Sequence, residues 1–237
     1  CLNSLIKSIK KTMERKPETL IKVQIIDDNS SDENLKKLKD LINTNSVDCE
    51  IIHHDKSEHK EKIAAENNQE TLGNLSSLLK CFEIAKKDQS DLIYFVEDDY
   101  LHYEHSLVDM LNTYERISSQ HKDEIIVCPS DYPFNYMNNE KTNILIGSQQ
   151  HWRTITKMLC TFMISKKMFQ KHINNFEKTC EKRHEPFEKY LNKILESEIG
   201  ISPIKSLAIH MTNVNSSYGL SPFIDIKKLW EENKVAQ

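Results

Sequence analysis

The sequence predicts an α/β protein, a mixed sheet with helices on both faces, and three observations predict it. Short apolar runs alternate along the chain with segments whose apolar residues recur at helical spacing. Two of those runs end in acidic clusters, Asp27-Asp28 and Glu97-Asp98-Asp99, as strands of an open sheet do where they give way to loops. No apolar run approaches the roughly 20 residues that a bilayer-spanning helix needs. With 237 residues, 38% of them apolar, the chain can bury a substantial core and is expected to form one domain or two intimately packed halves.

Taken in order, Leu2, Leu5, Ile6, Ile9 and Met13 predict a first helix, which Pro17 closes. Lys22–Ile26 reads as a strand. The polar turn Asp27–Asp32 then supplies an N-cap for a helix carrying Leu35, Leu38, Leu41 and Ile42. Cys49–His53 is a second strand. Residues 54–69 are charged and weakly periodic, so a mobile surface loop is expected there, a lid over a bound ligand. Gly73–Lys87 predicts a helix burying Leu75, Leu78, Leu79, Phe82 and Ala85, and Asp91–Val96 a third strand. A helix over Ser106–Ser118 and a strand over Glu124–Cys128 follow, with Ser130–His151 rich in loop residues. Thr154–Ser165 reads as one strand leading into a helix from Lys166, and Arg183–Ser197 as a helix. Pro203–His210 is a late strand and Ile224–Lys234 a terminal helix. No repeat or low-complexity linker marks a domain boundary.

Charge and cysteine usage exclude several classes. A net charge of -4 gives no basic footprint for nucleic acid. The six cysteines form no C-x-x-C pair and no zinc-site spacing, so reduced thiols and a cytoplasmic location are expected. His102 and His105 have one-turn spacing but follow the acidic strand, and Ser130 and Ser165 lack a nucleophile-elbow context. No phosphate-binding P-loop or dinucleotide fingerprint is present.

What remains is the acidic clusters. Carboxylates crowded at a sheet edge repel one another unless a cation or a donor-rich ligand neutralises them. Hard oxygen ligands favour Mg²⁺ or Mn²⁺, which bridge phosphate oxygens. Either cluster alone reads more readily as a strand-end cap or solvated turn, but two of them after apolar strands point to a metal-held nucleotide diphosphate.

These residues resemble a known family. IIDDNSSDENLKKL is similar to the first nucleotide-binding turn of GT-A-fold glycosyltransferases, and LIYFVEDDY to their D-x-D strand. The E-D-D form resembles that of inverting N-acetylglucosaminyltransferases. LGNLSSLLKCFEIAKKDQSDLIYFVEDD resembles the family's helix-strand block, and the likeness covers about residues 1–110 well. It implies a GT-A-like Rossmann-type sheet whose usual first strand is missing ahead of CLNSLIKSI. A nucleotide-sugar-binding half is expected over about 1–128 and an acceptor-binding half over about 129–237.

The resemblance also implies roles. Asp28, with Asp27, would bind the base or ribose, Glu97 would face the ribose, and Asp98 would add a water-mediated contact. Asp99 would ligate Mn²⁺ or Mg²⁺, with His210 as a further ligand. Trp152 and Arg153 would help bind the acceptor, although Trp152 reads equally as a core aromatic. Glu185 would be the general base at the start of a helix, with Glu188, Asp131 and Glu181 as alternatives. The partners expected are a nucleotide-sugar donor, a UDP-sugar foremost, and a glycan acceptor, with peripheral membrane association compatible with both. Two rivals share features with this reading. A sugar-phosphate nucleotidyltransferase would need a Gly-rich loop that the chain lacks, and a receiver-type signalling domain would present a single acceptor Asp. A non-catalytic glycan- or nucleotide-binding module of the same fold is the third alternative.

Overall fold

The computed structural model describes residues 1–63, 69–137, 139–212, 214–221 and 224–235. In chain order the strands are β1 Val23–Asp27, β2 Cys49–His53, β3 Leu92–Phe95, β4 Tyr100–His102, β5 Ile125–Val127, β6 Ile144–Ile146, β7 His151–Ile155, β8 Phe162–Ser165, β9 Ile199–Pro203 and β10 Ala208–His210. The helices are α1 Leu2–Arg15, α2 Asp32–Asn45, α3 Gln69–Lys87, α4 Ser106–His121, α5 Lys166–Lys171, α6 Ile173–Cys180, α7 Lys189–Ile194 and α8 Ile226–Glu232. The α/β class and the mixed sheet expected from the sequence are both present. The chain divides into two compact units, the first Cys1–Leu20, Tyr94–Ile164 and Glu198–Gln237, the second Ile21–Ile93 and Ser165–Ser197.

The first unit is built on a sheet ordered β3-β8-β5-β9-β7-β6. β5 and β9 run parallel, whereas β5 with β8, β9 with β7 and β7 with β6 are antiparallel. Ile125, Ile126 and Val127 are wholly buried, as a central strand's continuous apolar run requires. A second small sheet pairs β4 with β10 antiparallel, placing His210 opposite Tyr100. Helix α1 buries Ile6 and Ile9 together with Ser4, Ser8 and Thr12, while Met13 is exposed. The small hydroxyls let backbones approach: Ser4 Oγ accepts from the His102 N–H and Ser8 Oγ from the Leu107 N–H, each at 2.9 Å.

In the second unit β1 and β2 form a parallel pair that aligns Asp27 with His53. Ser31 caps α2 by accepting from the Asn34 N–H at 3.3 Å, and Asp32 and Glu33 lie in the first turn, where the helix dipole favours them. Phe82, Phe169 and Phe176 form the aromatic centre, with ring centroids 4.8–6.1 Å apart. Lys166 closes the C-terminal end of α3, donating to the carbonyls of Ala85 at 2.6 Å and Lys86 at 3.0 Å.

Several expectations are corrected. Thr154–Ser165 is two strands, because β7 pairs with β9 and β8 with β5, and residues 156–161 cross between those places in the sheet. Pro203–His210 likewise splits, Pro203 ending β9 and β10 joining the small sheet. The loop-rich stretch after Ser130 contains β6, an edge strand with Ile144 and Ile146 exposed. The helix read over Arg183–Ser197 covers only Lys189–Ile194, because Pro186 disfavours helical backbone at Glu185. Much of the expected mobile loop at 54–69 is folded: Lys56–His59 is a 3-10 turn, and His54, His59 and Ile63 are buried. Residues 64–68 of that stretch lie outside the described residues.

Candidate functional site

The acidic turn after β3 is held by its own unit. The Glu97 N–H donates to Thr161 Oγ1 at 3.0 Å, and that hydroxyl lies 3.2 Å from Glu97 Oε2. Asp98 is exposed to solvent. Asp99 is partly buried, and its Oδ2 sits 2.9 Å from His210 Nε2. The β4–β10 pair makes this contact, since it lays His210 across from Tyr100 and the Met211 N–H donates to the Asp99 carbonyl at 3.0 Å. The Tyr100 ring stacks on His210 with centroids 5.0 Å apart, and its hydroxyl meets that of Tyr132 at 2.5 Å.

Electrostatics and geometry agree on this pair. Burial alone would raise the Asp99 carboxyl, but hydrogen bonds from His210 and Thr212 and the His210 charge hold it below the ordinary range. Burial likewise pushes His210 down, and the bond to Asp99 with the charges of Asp99 and Glu97 outweighs it and raises the imidazole. Asp99 Oδ1 and His210 Nδ1 are buried without a hydrogen-bond partner among the described residues, although the Tyr218 backbone lies close enough to favour the charged ring. No group of three or more His, Cys, Asp or Glu among the described residues is placed to hold a metal ion. A protein that offers a carboxylate and an imidazole leaves the other positions to water or to a ligand's phosphates.

A second polar cluster lies in the same unit. Asp131, four residues beyond β5, is 1% exposed, and Arg153 on β7 is 8% exposed. Tyr136 donates to Asp131 Oδ2 at 2.5 Å, and its ring lies 4.1 Å from the Arg153 guanidinium. Burial lifts the Asp131 carboxyl to about 6 against the Tyr136 bond and the Arg153 charge. Trp152, beside Arg153, is fully buried, so its ring presents no face to a sugar.

The second unit holds the remaining expected residues. Asp27 is 5% exposed, and its Oδ1 accepts from the Ser30 N–H at 3.3 Å. Asp28 is exposed beside Gly73 of α3, and Asn29 takes the left-handed conformation that turns the chain (φ 65°). Glu185 is exposed and precedes α7 by more than a helical turn's start, so no helix N-terminus supports it. His54 Nε2 and His59 Nδ1 share Ser76 Oγ at 2.7 and 2.9 Å, and His59 Nε2 lies 3.2 Å from Glu83 Oε2.

Sequence reasoning paired Asp99 with His210 but missed Tyr100 and Tyr132, which brace them. The tyrosine that directly follows E-D-D was the available signal. It also missed the two histidines in the charged segment, whose polar neighbours hid their burial.

No family model matches the chain, and no curated protein is similar to it in sequence. Among solved structures it is similar to "The crystal structure of apo- UDP-glucose pyrophosphorylase", with TM-score 0.45 and 8% identity over 90% of this chain and 82% of that one. A likeness this distant carries no functional argument. No helix among the described residues is long and apolar enough to cross a membrane.

Proposed function

We propose that this protein is a metal-dependent glycosyltransferase that moves a sugar from a nucleotide-diphosphate donor to a hydroxyl acceptor with inversion. The observation that carries the reading is the 2.9 Å approach of Asp99 to His210, two residues that the resemblance names as ligands and that stand far apart in sequence. A carboxylate with one imidazole suits Mn²⁺ better than the harder Mg²⁺, and the orphaned buried atoms on both side chains fit a site built to gain a ligand. Such an ion supplies Lewis-acid stabilisation of the leaving diphosphate. Asp99 and His210 would hold it, Tyr100 stacks on the imidazole, and Glu97, whose carboxylate lies 3.2 Å from Thr161 Oγ1, would face the ribose. Asp98 would add a contact through water, and Asp27 and Asp28 would bind the base or ribose.

A thermal-shift screen of UDP-, GDP-, dTDP- and CMP-sugars with Mn²⁺ tests the donor. Stabilisation by a nucleotide sugar, followed by release of the nucleoside diphosphate in the presence of an acceptor, is the expected result. Formation of a nucleoside triphosphate from the sugar nucleotide and pyrophosphate would identify a nucleotidyltransferase instead. Binding without turnover would identify a non-catalytic module.

A further inference from the structure

We infer that Asp131 and Arg153 together receive the acceptor hydroxyl and that Asp131 takes its proton, an assignment resting on the glycosyl-transfer reading above. Asp131 Oδ1 and Arg153 Nε lie 3.7 Å apart, beyond hydrogen-bond distance, and neither has another partner among the described residues. One is an acceptor and the other a donor. A single inserted oxygen that carries one proton satisfies both, accepting from Nε–H and donating to Oδ1. The carboxylate repels an anion there and the guanidinium repels a cation, so a neutral hydroxyl is the fitting ligand.

The surroundings hold this pair open. Tyr136 occupies the other carboxyl oxygen at 2.5 Å, and Ser206 Oγ accepts from the Asp131 N–H at 2.8 Å. Arg153 is fixed in the sheet between Ser202 of β9 and Ile144 of β6. Arg153, though not Asp131, also lines a cavity of about 30 Å³ with Thr142, Thr154 and Thr156. The pair is also linked to the proposed metal ligands within one unit. Tyr132, next to Asp131, bonds Tyr100, and Tyr100 stacks on His210. The Asp131 carboxyl, lifted by burial to about 6, accepts a proton near neutrality. It is closed to solvent here, so an acceptor would reach it by displacing a side chain that bonds it, such as Tyr136, which is 53% exposed.

In the step, the acceptor O–H bond breaks and its proton passes to Oδ1. The oxygen's electron pair forms the new bond to the anomeric carbon. The bond from that carbon to the diphosphate breaks, and its electrons leave on the diphosphate.

The test uses the full chain with Mn²⁺, the nucleotide sugar found by the thermal screen, and a panel of methyl glycosides as acceptors. Asp131→Asn is expected to lower kcat by roughly 10²-fold or more with donor affinity unchanged. Wild-type kcat should rise through about pH 6, where Asp131 ionises against the cost of burial with the help of Tyr136, Arg153 and Asn135, and the residual rate of the variant should lack that limb. Tyr136→Phe removes a bond that favours the ionised carboxyl, so its limb should move to higher pH, a readout that remains if Asp131→Asn does not fold. Transfer by Asp131→Asn within a few-fold of wild type, or a limb that Tyr136→Phe leaves in place, overturns the assignment. Loss in Glu185→Gln with Asp131→Asn intact returns the base to Glu185. A wild-type protein that neither binds nor turns over any nucleotide sugar overturns the underlying reading and this assignment with it.

Discussion

Each unit buries a cluster of histidine, carboxylate and hydroxyl groups, and the two clusters are finished differently. In the second unit His59 Nε2 lies 3.2 Å from Glu83 Oε2 and its Nδ1 2.9 Å from Ser76 Oγ, an oxygen that His54 Nε2 also meets at 2.7 Å and that donates to the Lys56 carbonyl at 3.4 Å. Only His54 Nδ1 is left over, 4.0 Å from Glu58. Burial and the neighbouring His59 push His54 down, which keeps it neutral and the network intact. In the first unit, by contrast, Asp99, His210, Asp131 and Arg153 each keep a buried atom with no hydrogen-bond partner among the described residues. Buried polar groups are normally satisfied, so the network with a single open valence reads as architecture and the region with several as a place for a ligand.

The largest effect should come from the open cluster. Asp99→Ala is expected to lower Mn²⁺-dependent turnover by roughly 10²-fold or more, and His210→Ala to weaken Mn²⁺ binding by about 10- to 100-fold. Both should unfold close to the wild-type temperature. Calorimetric Mn²⁺ titration with thermal melts checks this, and undiminished turnover in excess EDTA would break the contrast between the clusters.

Next in size is a pair of opposed pH dependences inside the first unit. His102 is fully buried, and desolvation takes its pKa down to about 4. Its neutral form is the folded one, so its contribution is complete above about 6.5 and is lost as pH falls toward 4, about 3 kcal/mol in all. Asp131 runs the other way: its raised carboxyl is most favourable protonated, and stability is lost as pH rises from 3.8 toward about 6. The two oppose each other over roughly pH 4 to 6. Asp131→Asn should therefore make stability climb with pH more steeply there than in the wild type, as urea midpoints would show. Parallel curves would mean that Asp131 is solvated in solution and that its open valence is not a dry one.

Ser76→Ala probes the closed cluster. It leaves two buried imidazoles without their shared partner, at an expected cost of about 2 kcal/mol. Metal affinity should not change. A tenfold loss of Mn²⁺ binding in this variant would erase the distinction between a structural cluster and a ligand-binding one.

How much of this was legible in the sequence follows from the range of the forces involved. α1, α2, β1 and β2 were readable because periodicity, an N-cap serine and short apolar runs are local signals. The Asp99–His210 pair was legible through motif resemblance alone. The contact itself depends on β4 and β10, three-residue strands too short to show a period. Trp152 could not be assigned because alternation marks a strand without saying whether both faces are covered. Glu185 was misplaced into a helix because the apolar residues after Pro186 have helical spacing, while the proline acts on the residue before it. The Asp131–Arg153 pair is invisible to pattern reading, since β5 and β7 are brought together only through β9.

The smallest effect is expected in the second unit's acidic turn, where Asp27 Oδ2 is buried without a hydrogen-bond partner among the described residues. Asp28 is exposed, and a Cβ on Gly73 would stand 2.5 Å from its Oδ2. Gly73 lies inside α3 with no positive φ, so nothing in the backbone demands glycine, and alanine would favour the helix by up to about 1 kcal/mol. The obstacle is the far end of a flexible side chain, which can swing away at little cost. Gly73→Ala should therefore fold as stably as wild type or slightly better while moving the Asp28 carboxylate. If that carboxylate binds the base or ribose, nucleotide affinity should fall a few-fold, and Asp28→Asn should lower it further without an additional loss when the two changes are combined. Full additivity of the two changes would mean that they act independently. An affinity untouched by either would remove Asp28 from the site and leave ligand recognition to other residues.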